Sequence, residues 1–495
     1  MRTAYDAATV RAAEQPLLDA LPAGTLMQRA AFALARRCAA LLGNVYGSRV
    51  VLLVGSGGNG GDALHAGAFL SRRGARVDAV MFTDKPLASA HAELLRSGGR
   101  SSAADAEALD VLIASADLVI DGMVGIGATG PLRDGMSKAA EMLNQGDALV
   151  VAVDVPSGVD ASTGEVAGVA VRADVTVTFG ATKIGLLVDP GAEHAGLVES
   201  IDIGLAMPAG NLAMPAGIVE ALDAEDVREL LPTPGAESDK YRRGVLGVVA
   251  GSDAYPGAAE LVVGAALATG IGMVRFISTS GPAAAVRSAH PESVITEIAP
   301  GDSEALLSAG RVQAWVIGPG LGTDAPASRL VETVLSTDVP VLVDADAITV
   351  AAQSERLPSR TAPTLLTPHA GEFVRLVGGD RSDVEARRLT AVRAGAKSIG
   401  STLLLKGSST LVATPDGAVR VNTASTPYLA TAGSGDVLAG VCGALLAGGL
   451  DPIDAGSVGA FVHGLAGLIA SGTPPRPISA TDIVMKISEA LADLP

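Results

Sequence analysis

The stretch Gly433-Ser434-Gly435-Asp436 has residue types suited to phosphoryl transfer. Three small residues let the backbone turn tightly, and the apolar run Val437–Val441 that follows is typical of a buried helix. Backbone N–H groups at the start of such a helix attract an anion. Asp436 beside them could take a proton from an attacking hydroxyl. The structural alternative is that Asp436 only caps the helix after a glycine turn, and the rest of the chain has to decide between the two.

In the first half of the chain, polar residues follow predicted strands. The strands are Arg49–Val54, Leu118–Asp121, Ala148–Val153 and Ala173–Phe179. The polar residues at or after their ends are Asn59 and Asp62, Asp121, Asp154 and Ser157, and Lys183. Because the carboxyl ends of parallel strands open into one crevice, this placement predicts a site. The first glycine loop, Gly55–Asp62, is not a GxGxxG fingerprint, so plain dinucleotide binding is not predicted.

The second half restarts the alternation of strand, loop and helix. Its predicted strands are Val245–Ala250, Met273–Ile277, Trp315–Ile317, Val341–Val343, Leu365–Leu366 and Thr402–Leu405. The sequence Leu-Ala-Met-Pro-Ala-Gly occurs at 205–210 and again at 212–217, which is typical of a linker. We therefore predict an α/β protein with domains at residues 1–218 and 219–495, each a three-layer α/β/α sandwich.

Composition excludes several classes of protein. The 495 residues carry a formal net charge of -17, which argues against a nucleic-acid or anionic-membrane surface. The apolar stretches Val437–Leu450 and Ala455–Gly472 are rich in glycine and are predicted to be buried helices, not membrane spans. Cys38 and Cys442 lie in no metal or redox motif, and the N-terminus does not resemble a signal peptide. The sequence predicts a cytoplasmic protein.

Both halves resemble one enzyme family. In the first half the motifs are Asn59-Gly60-Gly61-Asp62, Asp121 with its glycine loop, Val153–Gly158 and Phe179–Lys183, which are similar to the NAD(P)H-hydrate epimerase domain. In the second half they are Lys240–Gly244, Gly251-Ser252 with Tyr255–Ala258, Gly318–Gly322, Asp344–Asp346, Thr367–Glu372, Lys406-Gly407 and Gly433–Asp436. These resemble the ADP-dependent NAD(P)H-hydrate dehydratase. The resemblance covers nearly the whole chain and implies a Rossmann-like first domain and a ribokinase-like second domain.

The chain departs from the family pattern at a few small residues. Gly58 replaces an asparagine and Ala63 replaces a glycine in the epimerase loop, while Ala432 and Ser434 stand where glycine and threonine are usual. Each exchange is between small residues and leaves the loop chemistry possible.

The resemblance implies a repair reaction on hydrated NADH and NADPH. The second domain would dehydrate the S-hydrate, with ADP as phosphoryl donor, a magnesium ion accompanying it and Asp436 as the base. ADP would be held by Lys406, Gly407, Ser408, Ser409, Thr410 and Gly435. The hydrated nucleotide would contact Ala258, Gly320, His369 and Asp436. A structural alternative for His369 is a satisfied loop histidine, and for Lys406 a solvated charge.

The first domain would interconvert the two epimers at C6, and the family suggests a homo-oligomer. A potassium ion is implied at Asn59, Asp121 and Ser157. Substrate would be held by Gly58, Gly60, Gly61, Asp62, Gly125, Ile126, Gly127, Ala128, Thr129, Gly130, Pro131, Asp154 and Lys183. We predict acid–base help from Asp154, with Lys183 orienting it or a phosphate.

Two other functions share part of the pattern. An ATP-dependent sugar or vitamin kinase fused to a nucleotide-binding domain would carry the same glycine–aspartate motif. Tyr255–Ala258, Thr367–Glu372 and the epimerase-like half argue against that interpretation. A non-catalytic nucleotide sensor would need no base at Asp436.

Overall fold

The computed structural model describes residues 1–208, 217–233, 235, 237 and 239–495. Two compact units divide the chain. Of the described residues, the N-terminal unit comprises 3–208 with Gly217–Val219, and the C-terminal unit comprises Met1–Arg2 with those from Glu220 to Pro495. The greater part of the repeated segment at 205–217 lies outside the described residues.

Strands and helices alternate through the first 208 residues. The strands are β1 (Arg2–Tyr5), β2 (Arg49–Val54), β3 (Arg76–Met81), β4 (Arg100–Ala103), β5 (Leu118–Gly122), β6 (Leu149–Val153), β7 (Val175–Phe179), β8 (Thr182–Lys183) and β9 (Leu197–Ile201). The helices are α1 (Ala7–Ala20), α2 (Thr25–Leu42), α3 (Gly58–Arg72), α4 (Ala88–Arg96), α5 (Ala106–Ala114), α6 (Asp134–Gln145) and α7 (Ala192–Ala195).

The N-terminal unit is built on a seven-stranded parallel sheet in the order β4-β3-β2-β5-β6-β7-β9. Its inner strand β2 is apolar throughout after Arg49, and alternate side chains point to opposite faces. Leu52 packs in one apolar cluster with Leu34 of α2 and Leu64 of α3. Leu53 packs in another with Leu143 of α6. Helices therefore cover both faces of the sheet, and the three-layer prediction is confirmed.

The same alternation continues from residue 218. The strands are β10 (Ile218–Ala221), β11 (Val245–Val249), β12 (Met273–Ser278), β13 (Val294–Glu297), β14 (Ala314–Ile317), β15 (Val341–Val343), β16 (Thr364–Leu366), β17 (Thr402–Leu405), β18 (Thr410–Ala413) and β19 (Val419–Asn422). The helices are α8 (Ala224–Leu230), α9 (Pro256–Ala268), α10 (Ser280–Ala289), α11 (Ser303–Ser308), α12 (Ala325–Leu335), α13 (Asp346–Ala351), α14 (Arg356–Ser359), α15 (Ala370–Val377), α16 (Arg381–Ala386), α17 (Arg388–Ile399), α18 (Ser434–Ala447), α19 (Pro452–Ser471) and α20 (Ala480–Ala492).

The sheet of the C-terminal unit runs β13-β12-β11-β14-β15-β16-β17-β18-β19-β10. It is parallel from β13 to β17, and two antiparallel pairs follow through β18 and β19. On one face α9, α18, α19 and α20 form a large apolar core with the strands. Gly440 allows α18 to approach α9 closely, because a Cβ there would clash with the backbone carbonyl of Val262.

The chain's single tryptophan, Trp315, lies on β14 in this unit. It is 3% exposed, and its ring packs against Gly247 of β11 so closely that a Cβ at 247 would clash with it. Its indole N–H finds no hydrogen-bond partner among the described residues.

The predicted strands are present with ends shifted by at most two residues. One prediction was wrong in detail: the loop predicted at Gly55–Asp62 ends at Gly57, and Gly58–Asp62 form the first turn of α3. Glycine is a weak helix former, so the sequence favoured a loop. Close approach explains Gly60, since a Cβ there would clash with the carbonyl oxygen of Gly55.

The predicted apolar helices are present as α18 and α19. By length and composition, α19 is long and apolar enough to cross a membrane, with a mean hydropathy of 1.4 over its most apolar window. Of that window, 67% is buried inside the fold, as in the core helix of a globular protein. Cys38 and Cys442 are buried and unbonded, as predicted for core residues.

Candidate functional site

An ion pair between Asp154 and Lys183 lies at the carboxyl edge of the N-terminal sheet. Asp154 Oδ1 accepts hydrogen bonds from Lys183 Nζ, from Thr178 Oγ1 at 2.9 Å and from the Phe179 N–H at 3.1 Å. Lys183 Nζ also donates to the Phe179 carbonyl at 2.8 Å, and this lysine is only 1% exposed. Asp154 has a φ of 68°, a left-handed conformation that is uncommon outside glycine and clusters at functional sites.

Next to this pair, Asp121 and Ser157 form a network of oxygens. Asp121 is fully buried, and its carboxylate accepts from the Ser157 N–H at 2.7 Å and from Ser157 Oγ at 2.6 Å. Asn59 donates its amide Nδ2 to the carbonyls of Val124, at 3.1 Å, and Val153, so its Oδ1 is not used in these contacts. Burial raises the pKa of Asp121, although the Ser157 hydrogen bonds oppose that rise.

Asp62 on α3 is the most perturbed carboxyl of this edge. Burial raises its pKa well above the ordinary value, and the charges of Asp154 and Glu14 add to the rise. Its Oδ1 is buried with no hydrogen-bond partner among the described residues. Burial thus favours the neutral, proton-bearing form of this carboxyl.

The remaining predicted residues of the first site surround these groups. A Cβ at Gly61 would press on Met27 and Leu87, whereas Gly58 has open space. Ile126 packs with Val155 in a small apolar cluster. The other loop residues Gly125, Gly127, Ala128, Thr129, Gly130 and Pro131 are half-buried or exposed.

Sequence reasoning missed two charged residues of α1. A Cβ at Gly127 would clash with Arg11 Nη2, so the guanidinium lies against the glycine loop. Glu14 has its pKa raised by burial and by Asp154, while Lys183 and Arg11 oppose the rise. Helix α1 begins about forty residues before β2 and does not follow a strand of the seven-stranded sheet. A search for polar residues at the ends of those strands therefore could not find Arg11 and Glu14. The signal was a helix with both charges beside an apolar stripe.

In the C-terminal unit, three strand ends bring Asp344, Glu372 and Lys406 together. Lys406 Nζ donates to Asp344 Oδ1 at 2.8 Å and lies 3.8 Å from Glu372 Oε2. Burial disfavours the ammonium, but Asp344 and Glu372 outweigh burial, so the pKa of Lys406 is raised. Asp344 also accepts from Thr367 Oγ1 at 2.7 Å. Lys406 therefore presents a fixed positive charge to the crevice, with 19% of its side chain exposed. Sequence reasoning had not assigned Asp344 and Glu372 to the site.

The helix α18 presents its N-terminus to this lysine. Gly433, with a φ of 85°, is the residue before the helix, and Asp436 lies within the first turn. Asp436 is therefore not the helix N-cap, so that structural alternative is wrong. A Cβ at Gly435 would lie 3.3 Å from Lys406 Nζ, which places the helix start directly beside the ammonium.

Asp436 has the protonation behaviour of a general base. Burial, followed by the charge of Asp344, raises its pKa to about 7, while Lys406 opposes the rise. A carboxyl with this pKa is partly ionised at neutral pH and is matched to proton abstraction there.

His369 has a structural task as well as a place in the site. Its Nδ1 accepts from the backbone N–H groups of Gly371, at 2.9 Å, and Glu372, at 3.2 Å, at the start of α15. Burial lowers the pKa of His369. Because Nδ1 acts as an acceptor, the other ring nitrogen carries the proton. The ring is half-exposed, and its Nε2 lies 3.5 Å from Glu372 Oε1.

The loop between β17 and β18 is braced from behind by Arg388. Its guanidinium donates to the carbonyls of Leu405, Lys406 and Ser409 at 3.0–3.2 Å. A Cβ at Gly407 would clash with that guanidinium. Ser408 is exposed and Thr410 half-buried, so the loop presents hydroxyl groups on a rigid support.

The other predicted substrate residues, Ala258 and Gly320, lie against each other. The Ala258 Cβ is 2.8 Å from the position that a Cβ on Gly320 would take, and Gly320 has a φ of 61°. The loops after β11 and β14 therefore meet, and larger side chains would close the space between them.

Comparisons with known proteins identify both units. A family profile described as NAD(P)H-hydrate dehydratase matches residues 246–489, and one described as YjeF-related protein N-terminus matches residues 23–185. The bifunctional NAD(P)H-hydrate repair enzyme Nnr of Mycobacterium leprae is 45% identical, with 100% of both chains covered. Its namesake from Mycobacterium tuberculosis is 47% identical over 91% of this chain and 90% of its own.

A solved structure matches the C-terminal half. The ADP/ATP-dependent NAD(P)H-hydrate dehydratase from Bacillus subtilis, co-crystallised with ATP and Mg²⁺, is 28% identical with a TM-score of 0.52 and covers 56% of this chain and 99% of its own. With relatives of this identity covering its full length, the chain belongs to the family of bifunctional NAD(P)H-hydrate repair enzymes.

Proposed function

We propose that this chain repairs hydrated NADH and NADPH in two steps. Residues 1–218 interconvert the R and S epimers at C6, and residues 219–495 dehydrate the S-hydrate with conversion of ADP to AMP and phosphate. Membership of the family supports both activities. The observation that carries the dehydratase activity is the placement of Asp436. Its pKa of about 7 suits a general base, and it lies in the first turn of α18, which starts beside Lys406.

Dehydration needs the C6 hydroxyl to become a good leaving group. Asp436 takes the hydroxyl proton while the oxygen attacks the terminal phosphorus of ADP, and AMP departs. The phosphorylated oxygen then leaves as phosphate while the ring-nitrogen lone pair forms an N1=C6 iminium. Loss of the C5 proton to solvent forms the C5=C6 double bond, returns the iminium electrons to nitrogen and restores the dihydronicotinamide. The protein's part is mainly to position the reactants and to offset charge.

The nucleotide is held at the loop after β17. Lys406 supplies a positive charge, and Gly407, Ser408, Ser409 and Thr410 offer backbone and hydroxyl groups, with Gly435 opposite. The N–H groups at the start of α18 would stabilise the transferring phosphoryl, each worth roughly 2.7–4 kcal/mol in comparable sites. Magnesium enters with the nucleotide as part of the substrate, and the Bacillus subtilis relative crystallised with ATP and Mg²⁺ supports that expectation.

Asn59, Asp121 and Ser157 fit a potassium ion in the N-terminal unit. Asp121 is a fully buried carboxylate that forms no ion pair among the described residues, so a bound cation would offset its charge. Its neighbours are amide, hydroxyl and carbonyl oxygens, the hard donors that bind alkali cations. The described residues hold no group of three or more acidic, histidine or cysteine side chains suited to a metal. The ion would fix the strand-end loops against which the substrate binds.

Potassium binding can be measured without turnover. The thermal unfolding midpoint of the wild type should rise in potassium chloride relative to tetramethylammonium chloride at equal ionic strength. Asp121→Asn should abolish that difference. An equal midpoint in both salts for the wild type would refute the ion site.

The central experiment supplies hydrated NADH with ADP or ATP and follows the return of dihydronicotinamide absorbance. Wild-type protein should restore the absorbance fully, since both epimers are consumed. An absence of recovery with either nucleotide would refute the dehydratase function. Recovery of only one epimer at the enzymatic rate would refute the epimerase function.

Two further properties are proposals that rest on the family and on composition. We propose a cytoplasmic location and a homo-oligomer. Sedimentation of the full chain tests the second.

A further inference from the structure

We propose that Asp62 is the general acid of the N-terminal site and that Glu14 of α1 relays protons from solvent to it. The inference rests on the proposed epimerase function and deepens it. It gives the site an acid that is distinct from the Asp154–Lys183 ion pair.

The start of the chain is fastened beside that ion pair. β1 pairs in parallel with β8, and Tyr5 lies in register opposite Lys183. Asp6 then caps α1 by accepting from the Thr9 N–H at 2.7 Å. Backbone pairing and the Asp6 cap thus fix the start of α1 next to Lys183.

One face of α1 points into the unit. Ala7 and Val10 are buried on this face. Ala7 shares an apolar cluster with Val155, which follows Asp154, and with Leu186, which lies three residues after Lys183. Glu14 follows Val10 by four residues and Ala7 by seven, so it extends the same face. Glu14 is half-buried, in contrast to Asp62, which is 8% exposed.

The charges that act on Glu14 and Asp62 come from α1 and the strand ends. They are Lys183, Asp154 and Arg11 for Glu14, and Asp154 and Glu14 for Asp62. Burial raises the pKa of both carboxyls, more strongly for Asp62, whose Oδ1 has no partner among the described residues. Asp154 is instead paired with Lys183, and within the described residues its hydrogen bonds run to Oδ1, so Oδ2 is open. Because neighbouring carboxyls in different environments hold their protons differently, one can act as the acid and the other as the base.

The chemistry balances with water alone. Asp62 gives its proton to the C6 hydroxyl, the C6–O bond breaks, and water leaves as the ring-nitrogen lone pair forms a C6=N1 iminium. A water molecule adds to the opposite face of C6 and gives a proton to Asp154. The new C–O bond uses the oxygen lone pair, and the iminium electrons return to nitrogen. To complete the cycle, Asp154 releases its proton to solvent water and Asp62 regains one. Glu14, half-buried on α1, carries that proton from solvent to Asp62.

The test measures exchange between the two epimers by chiral separation, in full-length protein carrying Asp436→Asn so that no hydrate is consumed. Asp62→Asn should slow exchange by about 10²–10⁴-fold. Glu14→Gln should slow it by about tenfold or more in dilute buffer, and imidazole buffer should restore it. Glu14→Asp should keep most of the rate. Asp19→Asn, an exposed acid on the same helix, is the matched control and should leave exchange unchanged.

Buffer rescue separates a relay from a structural role. If Glu14→Gln keeps the parental rate at every buffer concentration, or if its loss is insensitive to imidazole while its unfolding midpoint is unchanged, the relay is refuted. If Asp62→Asn is fully active, the acid assignment is refuted. If the parental protein itself fails to exchange the epimers, the proposed epimerase function fails instead.

Discussion

The two sites use the same pair of residues in opposite ways. Each places a lysine against an aspartate at the carboxyl edge of a parallel sheet, Lys183 with Asp154 and Lys406 with Asp344. Each also has a non-glycine residue in the left-handed region at a strand end, Asp154 with φ 68° and Ala345 with φ 49°. Among the described residues, no other non-glycine residue has a positive φ.

The difference lies in where the lysine points. Lys183 is 1% exposed, and its ammonium donates hydrogen bonds to Asp154, Thr178 and the Phe179 carbonyl. Lys406 is 19% exposed and faces the start of α18. The first lysine therefore holds a carboxylate in place, and the second leaves part of its charge exposed to the crevice. We propose that the pair is an internal brace in one unit and an anion receptor in the other.

The largest effect should come from removing the base of the C-terminal site. Asp436→Asn keeps the side-chain shape and removes proton abstraction, so dehydration should fall by about 10²–10⁴-fold. Epimer exchange should be unaltered in the same protein, which makes it the internal control. If Asp436→Asn dehydrates the hydrate at the wild-type rate, Asp436 has no chemical role in the reaction.

The next effect compares Lys183→Met with Lys406→Met. Lys183→Met leaves Asp154 buried without its partner and should lower the free energy of unfolding by about 3–5 kcal/mol. Lys406→Met should lower it by about 1–3 kcal/mol, because water can replace the ammonium at the crevice. Urea titrations followed by far-UV circular dichroism measure both.

Two observations sharpen that comparison. The double variant Lys183→Met with Asp154→Asn should recover much of the stability, since no buried charge is left unpaired. Trp315 reports on the C-terminal unit, so its fluorescence should register the Lys406 variant. Equal destabilisation by the two lysine variants would contradict the distinction between brace and receptor.

A pH profile gives a smaller effect that is specific to the C-terminal site. Lys406 lowers the pKa of Asp436, so Lys406→Met should raise that pKa and move the acid limb of the kcat profile to higher pH. Lys406→Arg should leave the limb near its wild-type position. An unshifted limb in Lys406→Met would show that another group controls the profile.

The smallest effect is on stability. The pKa of Asp436 in the folded state, about 7, lies above the ordinary carboxyl value, so its favourable contribution is complete at low pH and is lost as pH rises through 7. Asp436→Asn should therefore be more stable than wild type at pH 8, by roughly 1–3 kcal/mol after allowance for partial exposure. The gain should shrink toward pH 5. A constant difference across this range would point to packing.

The strands and the residues at their ends were predictable because buried parallel strands are continuous apolar runs followed by glycine or polar residues. Arg49–Val54 and Thr402–Leu405 were predicted with their observed bounds. Asp121 and Ser157, predicted from two different strands, are joined by two hydrogen bonds. The site roles assigned to these residues stay predictions.

Residues that reach the sites from elsewhere were not predictable in this way. Glu14 and Arg11 come from a helix before the sheet, and Arg388 supports the loop between β17 and β18 from behind. Their placement depends on tertiary packing, and the only local sign of it was the position of Glu14 and Arg11 beside the apolar stripe of α1. The capping role of His369 was missed for a related reason, since histidine is not among the usual N-cap residues.

The buried position of Trp315 has an optical consequence. Its indole lies in an apolar setting with no hydrogen-bond partner among the described residues, so its emission should be shifted to the blue. The dihydronicotinamide ring absorbs in that spectral region, whereas a hydrated ring has lost the conjugation responsible. Repaired cofactor held in the C-terminal unit would accept excitation energy from Trp315, and the hydrate would not. The protein thus contains a built-in donor with which product formation and product release could be timed separately.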